Sequence, residues 1–137
     1  MYPRIIVAVD LDHIDQGKQL LQRAIHLLDA GGDIRLIHVL EEVPGFIAAS
    51  LPADLAEKRR AEAAVELRAM IDPDLGVRIS HEIRRGAASG QILQAASDSN
   101  ADLIMIASHK PGLQDYFIGS TAARVIRHAT CSVLVER

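Results

Sequence analysis

The sequence predicts an α/β protein with a single doubly wound, five-stranded parallel sheet and helices on both faces. Apolar runs alternate with helix-like segments along the whole chain, in the order βαβαβαβαβ. The connections are long enough for crossovers between parallel strands, and such crossovers are right-handed in nearly all proteins. The 137 residues contain no internal repeat and no linker. We therefore expect one domain, residues 1–137, with one core.

Five short segments have the composition of strands. Continuous apolar runs predict strands that are buried on both faces, as in most parallel sheets. The third segment instead alternates apolar and polar residues, which is typical of a strand at the margin of a sheet. The predicted strands are residues 4–10, 33–40, 77–85, 103–107 and 131–136.

Four helices are predicted between the strands, because apolar residues there recur on one helical face. A Gly-Gly pair at 31–32 ends the first helix, and Pro73 ends the second. The second helix also carries Lys58, Arg59 and Arg60, which we interpret as a solvated face. The predicted helices are residues 16–30, 53–71, 88–99 and 119–128.

The composition narrows the function classes. A net charge of −3, from 15 basic and 18 acidic residues, is too small to predict nucleic acid or a membrane surface as an obligate partner. No apolar stretch approaches the ~20 residues that span a bilayer, and the N-terminus lacks the layout of a signal peptide. Cys131 is the one cysteine and the histidines are dispersed, so neither a disulfide nor a metal cluster is predicted. We therefore predict a cytoplasmic protein.

The most informative stretch is a loop of about a dozen residues after the fourth strand. It exceeds the usual connection of ~2–6 residues, and long loops at the carboxyl ends of strands hold binding sites in α/β proteins. It ends at Gly119, where no side chain obstructs close approach of a ligand. Ser120 and Thr121 open the next helix, whose unpaired N–H groups favour an anion such as phosphate. We also interpret the loop at 41–50 as a lid.

Several familiar phosphate sites are excluded by spacing. The chain has no G-x-x-x-x-G-K-[ST] loop and no G-x-G-x-x-G fingerprint. A phosphoacceptor receiver domain requires an acidic residue at the end of the third strand, where this chain reads Ile-Arg-Arg-Gly at 83–86. An adenylating loop, Ser-Gly-Gly-x-Asp-Ser, is absent after the first strand, where residues 9–13 are Val-Asp-Leu-Asp-His.

Four segments, in this order, resemble the universal stress protein family over the whole chain. They are residues 5–10, 101–107, 119–120 and 127–135. The segments 107–111 and 116–120 are similar to the F/G-type subgroup in particular. The resemblance implies the adenine nucleotide alpha hydrolase-like fold, with strand order 3-2-1-4-5. It also implies an adenine nucleotide, ATP or AMP, bound at the switch point between strands 1 and 4.

The chain departs from the nucleotide motif of that family, Gly-x2-Gly-x9-Gly-[Ser/Thr]. Ala107 stands at the first glycine, and the second falls on Lys110 or His109, depending on the end from which positions are counted. The loop is one residue shorter than the motif, and only Gly119-Ser120 is intact. F/G-type members resemble this variant, so the resemblance still implies nucleotide binding.

The resemblance also implies roles for individual residues. Asp10 accepts hydrogen bonds from ribose hydroxyls or orients a water bound to Mg²⁺; a structural cap is its alternative role. The backbone of Val39 reads the adenine edge, and His109 and Lys110 contact phosphate. Ser120 has an ordinary helix cap as its alternative role. The implied binding residues are Ala8, Val9, Asp10, Val39, Ala107, Ser108, His109, Lys110, Gly119, Ser120 and Thr121.

These features favour a nucleotide-binding stress sensor whose loops report occupancy to a partner or to a second copy. Two alternatives stay open: a slow ATPase or phosphotransferase, and a dimeric scaffold with a vestigial site. The fifth strand, residues 132–136, is apolar and lies at the sheet edge, where strands associate. The family pairs such strands across a two-fold axis, so we expect a homodimer. The sequence does not name a protein partner.

Overall fold

The computed structural model describes residues 1–41, 52–108 and 119–137, and the strands in these ranges form one parallel sheet. In chain order the strands are β1 (Tyr2–Ala8), β2 (Leu28–Leu40), β3 (Arg78–Arg85), β4 (Leu103–Ala107) and β5 (Ser132–Glu136). They are arranged as β3-β2-β1-β4-β5, and every neighbouring pair is parallel. The fold class and strand order expected from the sequence are therefore confirmed.

The described ranges contain four helices, which lie on both faces of the sheet. They are α1 (Ile14–Leu27), α2 (Ala53–Ala69), α3 (Ala88–Ser99) and α4 (Ser120–His128). Helices α1 and α2 pack on one face, and α3 and α4 pack on the other. Short 3-10 turns at Leu11–His13 and Pro73–Leu75 precede α1 and follow α2. None of the helices in these ranges is long and apolar enough to cross a membrane.

The central strand β1 supplies both halves of the core through alternate residues. Ile5 and Val7 pack with α1 and α2, whereas Ile6 and Ala8 pack with α3 and α4. Each of the larger side chains, Ile5, Ile6 and Val7, is fully buried and contributes roughly 1.5–3 kcal/mol to folding. Burial on both faces is the reason that the strand reads as a continuous apolar run.

The first helix ends earlier than the sequence predicts. It ends before residue 30, because Leu28 already pairs with Tyr2 of β1. The register then shifts, and the next pair joins Arg4 to Asp33. Gly31 lies in this irregular segment with a φ of +81°, a conformation that glycine adopts without strain. The boundary was wrong because the apolar Leu28 fits the buried face of α1 as well as it fits the start of β2.

The two edge strands differ in how they are protected. β3 is at one edge, as its alternating sequence predicted, and carries an ion pair between Arg84 and Glu82 at 2.8 Å. Arg84 also reaches Asp98 of α3 at 3.1 Å. Hydrogen bonds from Gln94 and then Arg84 hold the pKa of Asp98 below its usual value. Charged side chains of this kind discourage edge-to-edge pairing, whereas β5 at the opposite edge is mostly apolar.

Candidate functional site

A cleft opens at the carboxyl ends of the strands, where the connections from β1 and β4 leave toward opposite faces of the sheet. This switch point is the usual ligand site of an open α/β sheet. The cleft has a volume of about 430 Å³. Six of the residues predicted from the sequence line it: Ala8, Val9, Asp10, Val39, Ala107 and Thr121.

The floor of the cleft is apolar. Ile37 of β2, Ile92 of α3 and Ile106 of β4 surround the end of β1 on the face that α3 and α4 cover. Ala8 contributes only a methyl group at the centre of this floor. The small side chain leaves room for a flat apolar group, and the surrounding isoleucines provide its contact surface.

The backbone at the end of β2 is directed into the cleft. The N–H of Val9 donates to the carbonyl of Ile37 at 2.8 Å, and the N–H of Gly86 donates to the carbonyl of Leu40 at 3.1 Å. The backbone carbonyls of residues 37 and 40 therefore point to opposite sides of β2, the first toward the β1 side and the second toward the β3 side. The backbone groups of successive strand residues point to alternate sides, so the N–H and C=O of Val39 point to the same side as those of Ile37, toward β1. Because β1 has already ended at this level, the groups of Val39 are directed into the cleft. This geometry provides a donor and an acceptor for a planar heterocycle.

The rim of the cleft beside β1 is acidic. β1 ends at Ala8 rather than at residue 10, and Asp10 caps the 3-10 turn that follows by accepting the N–H of Asp12 at 2.9 Å. Both carboxylates line the cleft together with Glu41. Asp10 therefore caps the turn and lines the cleft at the same time, and the capping role does not remove its carboxylate from the cleft.

Ser108 joins the two ends of the long loop after β4. Its N–H donates to the carbonyl of Glu136 at 2.8 Å, and its hydroxyl oxygen accepts the N–H of Gly119 at 3.0 Å. This contact places the start of α4 beside the end of β4. His109 and Lys110 lie outside the described residues, as do residues 111–118 of the same loop and residues 42–50 of the predicted lid.

A smaller cleft of about 270 Å³ adjoins the first at the starts of α3 and α4. Ser120 and Arg124 line this cleft, and Thr121 lines both clefts. Gly119, not Ser120, occupies the N-cap position of α4. The alternative role of Ser120 as an ordinary helix cap is therefore wrong, because Ser120 already lies in the first helical turn.

No group of three or more His, Cys, Asp or Glu side chains within residues 1–41, 52–108 and 119–137 is arranged to hold a metal ion. Cys131 is half-buried, and burial raises the pKa of its thiol above the ordinary value. A thiol with a raised pKa carries little thiolate at neutral pH. The structure therefore favours a packing role for Cys131, immediately before β5, over a reactive one.

Comparison with known proteins identifies the family. The family model described as the universal stress protein family matches residues 1–137, the whole chain. The chain belongs to the universal stress protein family. Universal stress protein G of Shigella flexneri is 34% identical over 148 residues, and the match covers 100% of each chain. The resemblance that the sequence motifs indicated is thereby confirmed.

Solved structures share the fold of this universal stress protein. Hypothetical protein MJ0577 matches with a TM-score of 0.83 at 24% identity, over 100% of this chain and 97% of that one. A universal stress protein in complex with cAMP matches with a TM-score of 0.62 at 20% identity, over 99% and 97% of the two chains. Another, from Archaeoglobus fulgidus in complex with dAMP, matches at 0.60 and 19%, over 99% and 98%.

Arg59 is a cationic lining residue that the sequence interpretation did not place in the main cleft. Arg59 is exposed, as the solvated-face interpretation expected, but it also lines the main cleft. The signal was present in the spacing of α2. Arg59 precedes Ala63 by four residues and Leu67 by eight, so it lies on the helical face that packs on the sheet, one turn before the buried part.

Proposed function

We propose that this universal stress protein, acting as one domain over residues 1–137, is a cytoplasmic module that binds an adenine nucleotide, ATP or AMP. The observation that carries the proposal is the cleft at the switch point, with an apolar floor under the backbone groups of Val39. The cAMP and dAMP complexes of two structural relatives support the choice of an adenine nucleotide.

The proposed pose follows the chemistry of the lining. The adenine lies on the apolar floor at Ala8, beside Val9, and its edge hydrogen-bonds to the backbone of Val39. The ribose hydroxyls donate to Asp10. The phosphates run past the end of β4 to the start of α4. The proposed phosphate-binding residues are Ala107, Ser108, His109, Lys110, Gly119, Ser120 and Thr121, of which the structure describes all but 109 and 110.

The phosphate contacts must act together to give useful affinity. Micromolar binding corresponds to about −8 kcal/mol, whereas an exposed helix N-terminus contributes only ~0.3–1 kcal/mol for an anion. The N–H groups and hydroxyls at the start of α4 therefore supplement the burial of the base. Mg²⁺ fits the donor set through Asp10 or Asp12, because this ion binds one or two carboxylates together with ligand phosphates.

The proposed role is that of a sensor, in which the loops at 41–50 and 108–118 report occupancy to a partner. Slow ATP hydrolysis or phosphoryl transfer is the enzymatic alternative, for which Asp10 would position Mg²⁺ and a water. Turnover that persists unchanged in Asp10→Ala would count against that alternative. The third candidate function is that of a dimeric scaffold with a vestigial site, for which no specific nucleotide binding is expected.

We expect purified protein, freed of co-purified nucleotide, to bind ATP and AMP with micromolar affinity and GTP at least about tenfold more weakly. Isothermal titration calorimetry with each nucleotide, with and without Mg²⁺, measures this selectivity. Analysis of the recovered ligand separates binding from hydrolysis in the same samples. The absence of heat up to millimolar nucleotide would overturn the proposal and favour the scaffold function.

We also propose that two copies associate through β5 as a homodimer. The carbonyl of Glu136 faces β4, so by alternation the backbones of Val133 and Val135 face the open edge. Val133→Pro removes an outward N–H and leaves the bonds to β4 in place, since proline is tolerated at sheet edges. We expect this variant to be monomeric by sedimentation equilibrium with an unchanged circular dichroism spectrum. A dimeric Val133→Pro protein would place the interface elsewhere.

A further inference from the structure

Acidic side chains in the lining of the main cleft disfavour an anionic ligand. Three carboxylates line the cleft, those of Asp10, Asp12 and Glu41. A polyphosphate in the same space is repelled by them unless a cation compensates, because like charges interact strongly where water is partly excluded. Arg59 is the one Lys or Arg side chain in the described lining of this cleft.

Contacts made by residues on either side of Arg59 along α2 fix the position of its backbone. One turn toward the start of the helix, the carbonyl of Ala56 accepts a hydrogen bond from Nη2 of Arg85 at 3.0 Å, which ties α2 to the end of β3. One turn and two turns toward its end, Ala63 and Leu67 are buried, and Leu67 packs in the core cluster on this face of the sheet. The backbone of Arg59 is therefore held over the cleft, while its side chain stays exposed.

Arg59 and its neighbour Arg60 differ in their surroundings. Arg60 pairs with Glu57 on the outer side of the same helix at 3.4 Å. Within the part of the chain that the structure describes, no ion pair joins Arg59 to a carboxylate. The two adjacent arginines thus differ: one has a partner in the helix, and the other faces the cleft.

We propose that Arg59 is a specificity residue that selects phosphorylated adenosine over adenosine by contacting the ligand phosphates. The inference rests on the proposed nucleotide function and deepens it. Thr121, at the start of α4, lines the same cleft from the opposite side, so phosphates seated there share the cavity with the guanidinium. Arginine suits this task because its planar group donates paired hydrogen bonds to phosphate oxygens.

The test compares Arg59→Gln with Arg60→Gln, a matched change on the adjacent residue. Calorimetry with ATP, AMP and adenosine is expected to show ATP binding weakened about 10- to 100-fold by Arg59→Gln, the usual worth of a hydrogen bond to a charged group. Adenosine affinity is expected to be unchanged in both variants. Arg60→Gln is expected to bind all three ligands like the wild-type protein.

A salt series on ATP binding gives a second readout that does not require measurable adenosine binding. From about 50 mM to about 500 mM NaCl, the wild-type affinity is expected to fall more steeply than that of Arg59→Gln, because the variant lacks the screened charge. Equal salt dependence, an unchanged ATP affinity, or an equal loss with adenosine would overturn the role of Arg59. A wild-type protein that binds none of these ligands would instead overturn the nucleotide function itself.

Discussion

Replacement of Leu67 by alanine is expected to lower the free energy of unfolding by about 2–5 kcal/mol, the range for large-to-small changes in a tight core. Leu67 of α2 is 0% exposed and belongs to the core cluster on the face of the sheet that α1 and α2 cover. Its side chain lies in the same cluster as Val9 and Leu36, so the truncation leaves a cavity beneath the helix. Urea unfolding followed by circular dichroism measures the loss.

Val65 provides the control on the same helix. It is also aliphatic but is 69% exposed, so Val65→Ala is expected to change the free energy of unfolding by less than about 0.5 kcal/mol. If the two variants lose similar stability, α2 does not pack on the sheet through the face that carries Ala63 and Leu67. The cleft would then lack the wall from which Arg59 projects.

The number, order and parallel pairing of the strands were predicted correctly, for a physical reason. A strand segment buried on both faces must be apolar, and residues 5–8 of β1 and the whole of β4 show this. The edge position of β3 followed in the same way from its alternating sequence. The start of β2 was mispredicted because hydrophobicity alone does not distinguish a residue that ends a helical face from one that begins a strand.

The candidate site was predictable only to the extent that the backbone topology determines it. The strand order places Ala8, Asp10 and Ala107 near one another, and these residues at strand ends line one cleft. The place of Arg59 in the cleft was missed because its side chain comes from a helix and not from a strand end. In a sequence, a charged helical residue has the same pattern whether its side chain faces solvent or a cavity. Only the packing of α2 decides between these two environments.

Gly119→Val is expected to weaken ATP binding at least about 100-fold, which corresponds to roughly 2.7 kcal/mol, while the fold stays intact. Gly119 has a φ of −58°, which any residue adopts. Among the described residues, a Cβ at Gly119 would meet only the hydroxyl oxygen of Ser108, at an ordinary 3.8 Å. The apo protein is therefore expected to accommodate a side chain here, whereas that side chain would obstruct phosphates that approach the first N–H groups of α4, as we propose. Calorimetry with ATP measures the affinity, and thermal unfolding measures the stability.

Gly90→Val on α3 is the matched control, because a Cβ there meets no atom within 4 Å and Gly90 lies outside both clefts. Equal melting temperatures with a loss of ATP binding only in Gly119→Val would assign the glycine to ligand approach. Undiminished ATP binding in Gly119→Val would remove the phosphates from the start of α4. The intact Gly119-Ser120 pair would then be explained by its contact with Ser108 alone, which closes the loop and requires no nucleotide. Gly119→Val thus distinguishes a glycine that ligand binding requires from one whose role is limited to the contact that closes the loop.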